Sequence, residues 1–360
     1  MEHHRRARRR KRALFIAGSL HQTTQLHAVA RELRGFDVAF SAYYGTRLEE
    51  TMRRFGLNEA TICGNRLRRA TIEYLVDHQL PIDDGGREQP YDLTVTCSDL
   101  VLPENIRRSR VVVVQEGVFD REGIAYALCR RFPQLPRWLA GTAMTGLSGG
   151  FDTICVASHG YREHLLWRGV EPSRIAVTGI PRFDDCASFE TNDFPHRGFV
   201  LVCTSGTRRE TLKVDSRHTF LRKCKRIAGG RKTIFKLHPS EDVDRSTRAI
   251  REHFPDAIVY ARGNAEHMIA NCDVLVTEWS STAFVGIALG KEVHSSFDLD
   301  ELRRLCPIQN GGRSAANIAR VCERRWKIER ISAPTPFVRP SKEALTSFAR
   351  SAAPRPAPAG

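Results

Sequence analysis

Short apolar runs alternate with amphipathic segments along almost the whole chain. Runs rich in Val, Ile, Leu and Phe fall at residues 13–18, 37–42, 93–98, 110–115, 153–158 and 174–179. A second series falls at 199–205, 232–238, 258–261, 274–277 and 292–295. Continuous apolar runs, rather than strict alternation, predict strands buried on both faces of a parallel sheet. Between them, Leu26, Val29, Ala30 and Leu33 keep helical spacing. So do Phe220, Cys224, Ile227 and Ala228, which run into the stop Gly229-Gly230. Val243, Ile250 and Phe254 fit a further helix. Parallel strands need crossovers, so the alternation predicts an α/β fold of doubly wound, Rossmann-like units.

The two strand series imply two units. A single core rarely grows past roughly 250–300 residues, and the chain has 360. A polar, Pro-containing stretch at 181–198 separates the series. The expected organisation is a first Rossmann-like domain over 13–182, a linker over 183–195 and a second over 196–330. Residues 1–12 read as a basic tail and 331–360 as a disordered Pro/Ala-rich tail. Two such domains would face each other across a cleft. Ligands of open α/β sheets bind outside the carboxyl ends of the strands, so the residues just after each strand matter most.

Charge then changes meaning with position. The formal net charge is +15, from 56 basic and 41 acidic residues. Residues 1–12 carry +6 of it and residues 331–360 carry +3. The body is only mildly basic, which suits one small anionic ligand better than nucleic acid. The tail MEHHRRARRRKR leaves one further class open, a non-catalytic binder of nucleic acid or of a membrane surface. The 10 cysteines include no CxxC pair, and several sit in apolar runs. They read as buried thiols of a cytoplasmic protein. No run approaches the ~20 apolar residues of a membrane span. The basic start before ALFIAGSL imitates a signal peptide, but that run is short and no small-residue cleavage site follows it.

Three segments could hold a diphosphate. Ser280, Ser281 and Thr282 stand between an apolar run and a helix, where hydroxyls and free N–H groups meet the positive helix end. In KTIFKLHPSE, Lys236 and His238 close a strand that Pro239 cannot continue. In VCTSGTRRET, Gly206 permits close backbone approach, and Thr204, Ser205 and Arg208 can donate to phosphate oxygens. N-capping, a strand-end histidine and solvated arginines are the plain structural readings of the same residues. Trp138, Leu139 and Met144 lie in the apolar, Gly-rich stretch 132–150, which is either a packed helix and loop or a contact for a lipid-linked acceptor or a membrane surface.

The stretch FDTICVASHGYREHLLWRGVEPSRIAVTGIPRFDD, residues 151–185, resembles the interdomain signature of GT-B proteins. Similar patterns mark UDP-N-acetylglucosamine 2-epimerases, CDP-glycerol glycerophosphotransferases and capsule polysaccharide glycosyltransferases. The His238-Pro239 and Ser280–Thr282 segments resemble the latter two. The resemblance implies two Rossmann-like halves, with the second holding an activated donor of the UDP, CDP or GDP type. Lys236, His238, Ser280, Ser281 and Thr282 would then contact its diphosphate, and Glu278 a ribose or sugar hydroxyl. No tightly bound cofactor or metal is implied. Asp99 and Glu116 sit where epimerases carry strand-end carboxylates. His21 sits on the first loop, where several inverting transferases carry a catalytic His. Each is a candidate base. The epimerase pattern is broken at three places: Gly18-Ser19-Leu20-His21, Ser205-Gly206-Thr207-Arg208 and SSTAFVG.

These readings converge on a transferase moving a sugar or glycerophosphate group from a nucleotide donor to a saccharide or lipid-linked acceptor. Surface polysaccharide or glycoconjugate synthesis is the expected setting, with peripheral contact at the inner face of the membrane. The alternative is a nucleotide-sugar 2-epimerase.

Overall fold

In the computed structural model, residues 10–54, 64–204, 215–239 and 241–327 are described. They form two parallel sheets. The first contains β1 (Lys11–Ala17), β2 (Phe36–Ala42), β3 (Leu93–Thr96), β4 (Arg110–Val114), β5 (Thr153–Val156) and β6 (Ile175–Val177). Its order is β2-β1-β3-β4-β5-β6. The second contains β7 (Val200–Cys203), β8 (Thr233–Lys236), β9 (Ile258–Tyr260), β10 (Val274–Thr277) and β11 (Glu292–His294). Its order is β11-β10-β7-β8-β9. All strand pairs are parallel. The expected α/β fold of two doubly wound units is what forms, and each predicted apolar run supplies one strand.

Strand order locates the crevices. In the first sheet the winding reverses between β1 and β3, and in the second between β7 and β10. Strand ends splay apart at such switch points, so ligands enter there.

The apolar runs bury on both faces as expected. Leu14, Phe15, Val95, Val112 and Val113 are almost wholly buried in the first sheet, and Leu201, Val202, Ile234 and Phe235 in the second. One apolar cluster is shared by both halves: Tyr161, Ile180 and Phe183 pack with Leu201, Ile269 and Phe284. The described cysteines are free thiols, buried apart from the half-buried Cys306.

Three boundaries depart from expectation. β1 takes in Lys11 and Arg12, which the charge pattern assigns to the tail. The stretch 183–195 is no loose linker: Phe183 and Asp184 are buried, and a 3-10 helix follows at Cys186–Glu190. Third, the helix Ser314–Lys327 packs on the first sheet, not the second. Its Ala315, Ile318, Ala319 and Cys322 bury against Phe15, Val95, Val112 and Cys155. An amphipathic pattern shows that a helix has an apolar face; it carries no information on which sheet covers it.

The signature residues build this return crossing. Gly179 has φ +74°, and a Cβ there would strike the Ser314 hydroxyl. Asp184 accepts the Ser314 N–H at 2.7 Å, and its carbonyl accepts the N–H groups of Asn310 and Gly311. Phe183 meets Phe284 edge-on at 6.1 Å. A second crossing pairs the Ile308 N–H with the Ala157 carbonyl and the Ser158 hydroxyl with the Leu305 carbonyl.

Candidate functional site

Ser19 ends the loop after β1 and caps the helix Leu20–Glu32 by accepting the Gln22 N–H at 3.2 Å. Its hydroxyl donates to Glu116 at 3.1 Å, and the Gln22 amide donates to the other carboxylate oxygen at 2.7 Å. Gln22 also accepts the Gly18 N–H at 2.7 Å. Glu116, just after β4, is thus tied through both oxygens to the loop of β1. Behind it, Gln115 is buried and holds the Ala157 N–H and the Gly117 carbonyl.

Gly117 brings this carboxylate loop against the second half. A Cβ on Gly117 would lie 3.4 Å from the Ser281 Cβ and 3.6 Å from its hydroxyl. Further contacts span the cleft. The Arg121 guanidinium lies 4.2 Å from the Trp279 ring centre and donates to the Ser296 carbonyl at 3.2 Å. Arg66 donates to the Pro239 carbonyl at 3.2 Å.

His21, in the first turn of the helix Leu20–Glu32, is exposed to solvent. Its pKa falls from 6.5 to about 4, first through loss of hydration and then through the Arg182 cation, with Glu266 opposing and His238 adding to the fall. The imidazole is neutral at pH 7. Arg182 itself pairs with Glu266 at 3.2 Å. A neutral proton acceptor therefore shares the cleft with the Arg182–Glu266 ion pair, which joins the two halves, and with His238.

The strand ends of the second half are knotted around one residue, Glu241. Its buried carboxylate accepts from the Thr204 hydroxyl, the His238 N–H at 2.9 Å, Arg217 at 2.9 Å and the Ser246 hydroxyl at 3.0 Å. This fixes the backbone at His238 while the residue itself stays exposed. Burial lowers the His238 pKa, Lys236 and Arg66 lower it further, and Glu241 opposes. At the end of β10, separated from β8 by β7, the Thr282 N–H and hydroxyl both turn to the Ser280 hydroxyl, at 3.3 and 2.9 Å. Ala283 and Gly286 lie buried in the following helix, Gly286 against Leu275 and Val293 of the sheet.

Several expected roles change. Asp99 is buried and accepts the N–H groups of Gly146 and Ser148 at 2.9 to 3.1 Å. Burial raises its pKa despite those bonds. Its geometry pins the Gly-rich loop, and it offers no free oxygen for catalysis. Lys236 turns its ammonium to the carbonyls of Leu237, at 2.8 Å, and Ala261, at 3.4 Å. A straight strand end predicts a lysine aimed at a ligand; the curl of the following loop supplies acceptors first. Thr204 is engaged by Glu241. Glu278 is half-buried, and its carbonyl accepts from Ser295 and Ser296. Ser205, Gly206 and Arg208 lie outside the described residues. Met144 is buried and Trp138 half-buried, whereas Leu139 is 48% exposed. Sequence reading passed over Ser19, Gln22, Arg182, Glu241 and Glu266. Ser19 carries an N-cap signal directly after a strand, and Arg182 stands inside the signature.

Two facing Rossmann-like halves, joined by a double crossing and closed by a returning terminal helix, define the GT-B fold. The chain has that fold. Solved structures with the same arrangement include S. aureus MnaA with UDP, at TM-score 0.56 and 12% identity, covering 91% of this chain and 100% of that one. A putative UDP-N-acetylglucosamine 2-epimerase from Listeria monocytogenes gives TM-score 0.53 at 13% identity, over 91% and 99%. The wall teichoic acid polymerase TagF gives 0.50 at 10%, over 88% and 89%. No family model and no curated protein sequence matches the chain.

Proposed function

We propose that the chain is a metal-independent GT-B transferase. It moves a glycosyl or glycerophosphoryl group from a nucleotide-diphosphate donor to a saccharide or lipid-linked acceptor, in surface polysaccharide or glycoconjugate synthesis. The observation that carries this reading is the neutral His21, set beside Arg182 of its own half and facing His238 and Glu266 of the other. The donor diphosphate would lie at the Ser280–Thr282 strand end beside His238. The acceptor hydroxyl attacks the donor carbon or phosphorus, the bond to the leaving nucleotide breaks, and its electron pair stays on the phosphate oxygen. The hydroxyl proton passes to His21. Arg182, His238 and the hydroxyls of Ser280 and Ser281 meet the charge that develops on the leaving group. Glu116, held by Ser19 and Gln22, orients the acceptor or the loop that carries His21.

Nucleotide-sugar 2-epimerisation is the competing reading, since the putative UDP-N-acetylglucosamine 2-epimerase from Listeria monocytogenes shares the fold. The engaged carboxylate of Asp99 counts against it. Titration calorimetry with UDP, CDP and GDP should find one nucleotide that binds. His238→Ala and Ser281→Ala should weaken it about tenfold or more, and His21→Ala should keep binding but lose about 10²–10⁴ in transfer rate. Unchanged nucleotide binding in the first two variants would overturn the site. Deuterium entering C2 of UDP-N-acetylglucosamine in heavy water would favour epimerisation.

A further inference from the structure

Large apolar side chains are unevenly exposed. Eight are exposed among the described residues, and four of them fall within 124–139: Ile124 at 82%, Leu128 at 46%, Phe132 at 41% and Leu139 at 48%. Ile124 and Leu128 stand four apart on the helix Ile124–Arg131, so they share a face, and Phe132 caps its end. Ala127 and Arg131 are exposed on the same side. The inner side is anchored: Cys129 is buried, and Tyr126 lies under the Arg168 guanidinium at 5.3 Å. Leu139 belongs to the 3-10 helix Arg137–Met144, which packs against this helix.

Charge around the face is mainly positive. From Asp120 to Gly150 the basic residues are Arg121, Arg130, Arg131 and Arg137, and the acids are Asp120, which accepts from Thr142, and Glu122. Glu122 is already paired with the buried Arg168 at 2.7 Å. An apolar stripe with a cationic rim on a short surface helix is complementary to an anionic lipid bilayer, where the side chains enter the headgroup layer and the arginines meet phosphate. A neutral protein partner would be expected to face a mixed rim. The face is also close to the cleft. Glu116 lies five residues before Arg121, and Arg121 touches Trp279 and Ser296 of the second half.

We propose that Ile124, Leu128, Phe132 and Leu139, rimmed by Arg130, Arg131 and Arg137, dock the chain on an anionic membrane surface beside the mouth of the cleft. This interaction does not depend on the transfer reading, because nucleotide binding is measured separately on the same variants.

The test is co-sedimentation of the full chain with phosphatidylcholine vesicles, with and without phosphatidylglycerol. Binding is expected only to the anionic vesicles and should weaken with added salt. Ile124→Asp with Leu128→Asp should reduce it about tenfold or more, with thermal melting and nucleotide affinity unchanged. If that variant folds poorly, Ile124→Ser with Arg131→Gln replaces it. A chain lacking residues 1–9 should still lose binding on the same face substitutions. Absence of binding by the unaltered chain, or full binding by the face variants, overturns the proposal. So does a self-association of the chain that the face substitutions abolish.

Discussion

His21 shows how far one side chain depends on its surroundings. Alone, an imidazole titrates near 6.5; here the crowded cleft and Arg182 bring it to about 4. A base that weak removes a proton poorly. A diphosphate beside Arg182 would offset its charge and raise the His21 value. Proton NMR of the His21 ring should therefore show titration near 4 in the free chain and an upward shift on saturation with the nucleotide that binds. An unshifted value in the complex would remove His21 as the acceptor of the proton. The stability sign follows as well. A histidine with a lowered folded value binds fewer protons than in the unfolded chain between pH 4 and 6.5, so its contribution to stability rises with pH across that window. Lys236 teaches the opposite lesson: the residue type suits phosphate, but its ammonium is taken by the carbonyls of Leu237 and Ala261.

The elements that matter most are the two crossings between halves. Asp184 joins the end of the first to the start of the helix Ser314–Lys327, and burial raises its pKa against the Ser314 bonds. A raised folded value means that the protonated form is favoured by folding. That advantage is complete below the ordinary carboxylate range and is lost as pH rises through the folded value. Asp184→Asn keeps an oxygen for the Ser314 N–H and removes the buried charge, so its melting temperature at pH 7 should equal or exceed that of the unaltered chain. The gap should close on acidification. Asp184→Ala leaves the Ser314 N–H unpaired and should cost about 1–3 kcal/mol by denaturant unfolding. Equal losses in both variants would mean that the charge itself holds the crossing. At the other crossing, Gly160 lies against the Arg304 carbonyl so closely that a Cβ would overlap it. The two halves meet there backbone to backbone, with no room for a side chain.

At the scale of the whole molecule, the shared cluster around Tyr161, Phe183 and Phe284 makes the halves one cooperative body. Calorimetric unfolding should show a single transition whose midpoint rises with the bound nucleotide. Two separated transitions would mean that the seam contributes little. Much of this architecture was legible along the chain. Eleven apolar runs became eleven strands, because burial on both faces of a parallel sheet demands a continuous apolar run. Strand ends drew attention to His21, Glu116, His238 and Ser280–Thr282. The tertiary structure alone decided the rest. It returned the helix Ser314–Lys327 to the first sheet, turned Lys236 and Asp99 to backbone partners, and set Arg182 beside His21. The physical reason is one of range. Periodicity and turn chemistry report what a residue does to its neighbours in sequence. The partners of a buried charge, and the sheet that covers an apolar face, are fixed by how the chain folds back on itself: Asp99 meets Gly146 and Ser148, and Ile318 meets the first sheet.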